Sequence, residues 1–229
     1  MSLTLYYHPL ASYCHKVLVA LYESATPFQG RIIDLGNADE RAEITALWPL
    51  GKFPVLRDEE RGHTVPESTV IIECLCRHVP VAADLLPDDA DIRLDVRFWD
   101  RVFDLYVQAP VQKIVGDRLR AEGERDPRGV AEARATLRTA YDMLERQLVH
   151  GGAWVVGDRF TLADCAAAPA LFYAAIVEPF PAAHIQLAGY FDRLMGRPSV
   201  RRTLAEARPY FPLFPFKDAI PARFLSDLP

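Results

Sequence analysis

Ser12 and Cys14 fall in the stretch Tyr7-His8-Pro9-Leu10-Ala11-Ser12-Tyr13-Cys14-His15, where a β-prone run gives way to a helical pattern. A helix start presents unpaired N–H groups and the positive end of the helix dipole. An anion, or a thiol that must ionise, is favoured at such a place. Ser12 has the residue type of an N-cap, and a hydroxyl that accepts from a helix N–H still has a proton to give to a bound sulfur. A second group is Gly51-Lys52-Phe53-Pro54-Val55, just before an apolar β-prone run. Proline there suits the first residue of a strand, and an X–Pro bond is where a cis peptide is accessible. A cis Pro54 would turn the Phe53 backbone outward to pair with an extended peptide, with Lys52 beside it for a carboxylate. The third group, Val65-Pro66-Glu67-Ser68, opens another helical pattern. Ser68 has the type of an N-cap; alternatively Glu67 accepts from a ligand ammonium while Ser68 binds its carboxylate through hydroxyl and N–H.

Other constellations carry less. Ala11-Ser12-Tyr13-Cys14 keeps only the second position of a Cys-x-x-Cys pair, so dithiol redox chemistry is not expected. Cys74, Cys76 and His78 are close in sequence, but on a helix Cys76 lies about 200° from the other two. No metal site is expected there, because zinc requires four convergent ligands. Cys14, Cys74, Cys76 and Cys165 are unevenly spread, unlike a disulfide framework, and are expected as thiols in a reducing, cytoplasmic compartment.

These groups need a scaffold. Leu3–Tyr7 reads as a strand, Ser12 to Ser24 as a helix, and Phe28 to Asp34 as a second strand. A polar helical stretch (39–47), a hairpin formed by 53–56 and 63–65, and a helix over 67–78 complete a small mixed sheet flanked by helices. After Pro80 the strand signals fade. Ile92, Val96, Trp99, Phe103 and Tyr106 step by four and three, which predicts one helix, and a second carries Val130, Ala133, Leu137, Tyr141, Leu144 and Leu148. The apolar run Cys165–Val177, of 13 residues, is too short to span a bilayer and reads as a buried helix. Two shorter helices over 185–195 and 199–207 follow. Thr161 and Asp164 have capping-box spacing, and Pro169 is expected to disturb the helix that they open. The expected division is an α/β domain over 1–82 and an all-helical domain over 88–229.

The chain has 229 residues, half of them apolar and a quarter charged, as in an ordinary folded protein. Its net charge of -5 has the wrong sign for a protein that binds by neutralising phosphates, so no nucleic-acid partner is expected. No secretory signal or membrane span is read in the sequence.

With these motifs in this order, the chain resembles the glutathione S-transferase family over nearly its whole length. Gly51-Lys52-Phe53-Pro54-Val55, Pro66-Glu67-Ser68 and Gly157-Asp158-Arg159-Phe160-Thr161-Leu162-Ala163-Asp164 carry the resemblance. It implies a thioredoxin-like N-terminal domain and an all-helical C-terminal domain, glutathione as co-substrate, a small electrophilic second substrate, a role in detoxification and a homodimer. By the same resemblance, the γ-glutamyl end of glutathione would meet Glu67 and Ser68, its cysteinyl backbone Phe53 beside cis Pro54, and its glycyl carboxylate Lys52. The activating hydroxyl would be Ser12, with Tyr7 and Tyr13 as alternatives, because the family's usual position holds Ala11. Trp99, Phe103, Tyr106 and Tyr173 are candidates for the acceptor wall. The tail Pro209–Phe216, too rich in proline for a regular helix, would fold over the cleft or clamp the domains. The other readings are a weakly catalytic or non-catalytic binding member like the stringent starvation proteins, or a glutathione-dependent isomerase or peroxidase.

Overall fold

The structure is a computed structural model that describes residues 2–150 and 152–226. The first half comprises β1 (Leu3–Tyr7), α1 (Ser12–Glu23), β2 (Gln29–Ile32), α2 (Ala38–Leu47), β3 (Val55–Asp58), β4 (His63–Pro66) and α3 (Ser68–His78). The strands form one sheet in the order β2-β1-β3-β4, with β1 parallel to β2 and antiparallel to β3, and with β3 and β4 as the expected hairpin. Strand alternation sends side chains to both faces. Leu3, Leu5, Leu56 and Val65 belong to a core shared with Val17, Leu18 and Leu21 of α1 and Ile71, Ile72 and Leu75 of α3. Val55 belongs instead to a smaller cluster with Ile33 and with Ile44 of α2. The sheet is thereby covered on both sides, and the ends of β1 and β4 deliver the chain to the helix starts that carry Ser12 and Ser68.

The second half is helical: α4 (Ala90–Val102), α5 (Ala109–Arg118), α6 (Pro127–His150), α7 (Leu162–Val177), α8 (Ile185–Gly196) and α9 (Pro198–Ala207). One expectation is corrected here. The single helix read from Ile92 to Tyr106 is interrupted by a π-helical stretch over Phe103–Gln108, which joins α4 to α5. A π turn closes on i+5 rather than i+4, so the apolar stripe does not continue in register through it. Trp99 and Phe103 are buried in the helical core, whereas Tyr106 is 51% exposed.

Helix α7 is buried along nearly its whole length and continues through Pro169. Its expected capping box forms: Asp164 Oδ2 accepts from the Thr161 N–H at 2.8 Å, and Oδ1 accepts from the Tyr190 hydroxyl at 2.6 Å. Burial pushes the Asp164 carboxyl up, against the pull of these hydrogen bonds. Asp164→Ala removes a cap and strands several buried donors, so it should lower unfolding stability by about 3 kcal/mol in urea titrations. A loss below about 1 kcal/mol would show that water replaces the carboxylate.

The two halves are tied by Arg197 in α9's N-cap position, which grips Glu23 through two hydrogen bonds of 2.7 Å, and by the Tyr173 hydroxyl donating to Leu10 O at 2.7 Å. The tail forms a short 3-10 turn over Arg208–Leu213. Phe211 stacks near Phe172, Phe214 meets Tyr173 edge-on, and Tyr210 meets His8 with ring centroids 5.1 Å apart. It both clamps the halves and reaches the cleft between them.

Candidate functional site

The helix starts differ from the sequence expectation in one detail. Ala11, not Ser12, holds the N-cap position of α1, and Ser12 is the first helical residue. Likewise Glu67, not Ser68, is the N-cap of α3. Neither serine spends its hydroxyl on capping its helix. The N–H groups of Ser12 and Tyr13 have no hydrogen-bond partner among the described residues, and neither do those of Ser68, Thr69 and Val70. Each helix start therefore keeps a set of donors for an anion, as the argument from unpaired N–H groups requires. Glu67 has φ +71°, a conformation that costs a non-glycine residue about 1–3 kcal/mol. The structure around the junction of β4 and α3 holds the residue in that conformation.

A cavity of 570 Å³ lies between the two halves, a size suited to a small ligand. Ser12, Tyr13, Lys52 and Phe53 line its first-half side. The Phe53–Pro54 bond is cis, and Pro54 is buried behind Phe53. Glu67 and Ser68 are not among the residues that line the cavity; the α3 start is tied to the α1 side through Thr69, whose hydroxyl accepts from Lys16 Nζ at 2.8 Å. The opposite wall is largely apolar: Val111 and Val115 of α5, Leu119 just beyond it, and Leu213, Phe214 and Pro215 from the tail, with Gln108 and Gln112 as its polar members.

The structure brings Tyr173 to this cavity, with its hydroxyl committed to Leu10 O, but not the other acceptor candidates. Trp99 and Phe103 are core residues, and Tyr106 lies on an outer groove with Thr136, Thr139 and Met143. Tyr7 is not on the cavity either. Its ring packs over Gly30, where an added Cβ would meet the ring at 3.0 Å. Burial, Glu206 and Tyr210 push its phenol up. Tyr13 does line the cavity, but its hydroxyl donates to Asp104 O at 3.4 Å, and burial followed by Asp104 pushes its phenol up to about 12. Cys14 is fully buried, and burial raises its thiol to about 12, which removes it as a nucleophile. Ser12 is 7% exposed, and no side-chain hydrogen bond engages its hydroxyl among the described residues.

Two features were missed by sequence reasoning. One is the cavity-lining stripe of Gln108, Val111, Val115 and Leu119 along α5 and its two flanking residues, which follows helical spacing but begins at the last residue of the unforeseen π turn. The other is a buried charge cluster behind the site. Lys16 Nζ lies 2.5 Å from Asp100 Oδ1, 2.9 Å from Asp104 Oδ2 and 2.8 Å from Thr69 Oγ1. The Thr69 hydroxyl in turn donates to Asp100 at 2.9 Å, and the more exposed Arg101 reaches Asp104 at 3.0 Å. A lysine inside an apolar helix face and two aspartates at i, i+4 were the available signals. Thr69 ties the cluster to the α3 start and Asp104 ties it to Tyr13, so it connects both helix starts to the helical half.

A mixed four-stranded sheet with a cis-proline turn, followed by an all-helical half that closes one side of the cleft, defines the glutathione transferase fold. Residues 11–78 match the model of the glutathione S-transferase N-terminal domain, and residues 127–193 match that of the C-terminal domain. The chain belongs to the glutathione S-transferase family. A glutathione S-transferase-like protein of a Fusarium species, LUC7, is 33% identical over 149 residues, which span 65% of this chain and 64% of that relative. FtsZ-localized protein A of Caulobacter vibrioides is 28% identical over 90% of this chain and 92% of its own length. A crystal structure of a glutathione S-transferase from Methylobacillus flagellatus with glutathione bound superposes with a TM-score of 0.81 at 26% identity, covering 88% of this chain and 98% of that one.

Proposed function

We propose that this protein is a cytoplasmic glutathione transferase that binds the tripeptide through residues 1–82, ionises its thiol, and presents the thiolate to a small apolar electrophile held against residues 88–229. The observation that carries this reading is the meeting of an unengaged Ser12 hydroxyl and the free N–H groups of the α1 start with an apolar wall across one cavity. The glutathione-bound relative supports the choice of peptide. The N–H groups of Ser68 and Thr69 and the Glu67 carboxylate would hold the γ-glutamyl carboxylate and ammonium. Phe53 would pair with the cysteinyl backbone, and Lys52 would take the glycyl carboxylate. The sulfur then falls at Ser12, where a hydroxyl donor and two N–H groups stabilise the anion more than the thiol. Attack on carbon follows without a metal or redox cofactor in the scheme.

Leu94, Phe98 and Leu105 on α4 and the π stretch, and Val70 on α3, are exposed apolar side chains of the kind that a homodimer would bury. A glutathione-binding member with little turnover is the second reading. Ala11 at the family's usual hydroxyl position favours it, as does the likeness to a relative named for its localisation with FtsZ. Calorimetry with glutathione, followed by product assays with benzyl chloride, separates the two. The transferase reading expects saturable binding and a thioether product. Binding without product selects the second reading, and no binding overturns both.

A further inference from the structure

His8 is the first residue beyond β1, and the Pro9-Leu10 turn that leads into α1 is tied to it twice. Its carbonyl accepts from the Ala11 N–H at 3.0 Å, and its ring Nδ1 accepts from the Leu10 N–H at 3.1 Å. The other polar groups of the turn are committed elsewhere. Pro9 O accepts from His15 Nε2 on α1, and Leu10 O accepts from the Tyr173 hydroxyl of α7 at 2.7 Å. Leu10, Ala11 and Ser12 line the cavity, so this turn fixes where the unengaged Ser12 hydroxyl stands. The half-buried His8 ring also touches the elements on either side of the turn. It lies nearly parallel to the Phe53 ring, with centroids 6.1 Å apart, and meets Tyr210 of the tail edge-on at 5.1 Å. Beyond Tyr210 the tail supplies Leu213, Phe214 and Pro215 to the cavity. One imidazole thus joins the α1 entry, the cis-proline turn and the tail.

We infer that His8 is a positioning residue whose neutral ring holds the α1 entry turn and the tail in place, and that mild acid releases both by putting a proton on Nδ1. The inference rests on the transferase reading only for what the turn binds. Because Nδ1 accepts from the Leu10 N–H, the neutral ring carries its proton on Nε2, and Nδ1 is the atom that protonates. An imidazolium Nδ1–H would face the Leu10 N–H donor to donor, so that bond is lost and the amide must find another partner. Burial lowers the His8 pKa, and Asp34, just after β2, opposes it. Tyr210 faces the ring from the tail, and His15 faces it from α1. Burial holds His15 down at about 4, so His15 stays neutral in mild acid. A base lowered on folding favours the fold fully above its unfolded value of 6.5, and that contribution is lost as pH falls through the lower folded value. The release is therefore expected below pH 6.5.

The test uses the whole chain and two substitutions. In His8→Asn the side-chain Oδ1 can still accept from the Leu10 N–H, as in an Asx turn, but does not titrate; His8→Leu has no acceptor. Nitrogen NMR of the wild type should show the Nε2–H tautomer in neutral solution and a His8 midpoint below 6.5. On moving from about pH 7.5 to about pH 5, S-methylglutathione, which has no thiol to ionise, should bind the wild type about threefold or more weakly, the scale of one lost hydrogen bond. Amide exchange in residues 208–216, corrected for its intrinsic rate, should quicken by a similar factor. Both changes should vanish in His8→Asn, and His8→Leu should bind weakly at either pH. A wild-type midpoint at or above 6.5, tail exchange that ignores pH, or the same pH dependence in His8→Asn overturns the inference. Failure of the wild type to bind S-methylglutathione at any pH would instead sink the transferase reading. The NMR midpoint and the tail exchange need neither ligand nor variant, and they decide the role of His8 in that case too.

Discussion

Lys16→Met should lower the unfolding free energy at neutral pH by about 3–5 kcal/mol, the cost of breaking a buried ion cluster by removing one partner. Lys16 and Asp100 are each 1% exposed, and Asp104 is also buried. With the ammonium gone, two carboxylates remain inside the protein, and the half-exposed Arg101 reaches only Asp104. Burial already pushes the Asp104 carboxyl up, with Lys16 opposing it. In the variant that opposition disappears, and the folded state takes up a proton more readily than the unfolded chain. A carboxyl raised in this way favours folding fully below its unfolded value and loses that contribution as pH rises through the folded value. The stability deficit should therefore shrink as urea titrations are moved from pH 7 towards pH 5. Replacing both aspartates by asparagine in the same background should recover part of the loss at neutral pH. A deficit below about 1 kcal/mol, or one independent of pH, would mean that water or a rearranged Arg101 neutralises the cluster. Because Thr69 and Asp104 link it to both helix starts, glutathione affinity should fall together with stability.

Ser12→Ala should reduce turnover at least tenfold with glutathione affinity nearly unchanged. A hydrogen bond from a neutral hydroxyl to an anion is worth about 1.5–3 kcal/mol, and 1.4 kcal/mol is already tenfold in rate. The effect is expected on kcat because, in the proposed binding mode, the hydroxyl matters to the thiolate, whereas the peptide would be held along its length by Glu67, Ser68, Phe53 and Lys52. The alternatives are weaker on geometry: the Tyr7 ring packs over Gly30 and does not line the cavity, and the Tyr13 hydroxyl is directed at Asp104 O, 3.4 Å away. Full activity in Ser12→Ala would nevertheless move the role to Tyr13 or to the N–H groups of the α1 start alone.

Local rules made much of the fold legible. Alternating Leu3 and Leu5, the Pro54 and Gly51 punctuation and the Thr161–Asp164 box each act within a few residues, so sequence exposes them. Ser12, Tyr13, Lys52 and Phe53 converge because short connections from strand ends fix them. The two cap assignments were off by one residue, since Ala11 and Glu67 take the cap conformation and leave the serines free for a ligand. The acceptor wall was not legible. Trp99, Phe103 and Tyr106 share a stripe in an ideal helix, but a π turn is decided by tertiary packing and divides them between core and surface. The Lys16 cluster was hidden for a related reason: its members are far apart in sequence and meet only when the halves close.

The central claim, an ionised glutathione thiol at Ser12, is tested most directly by titrating the ultraviolet thiolate absorbance of glutathione bound to the wild-type protein. The account predicts a midpoint about one unit or more below the roughly 8.5 of a free thiol, shifting back towards that value in Ser12→Ala. A bound thiol that titrates at the free value, under saturation confirmed by calorimetry, would contradict it.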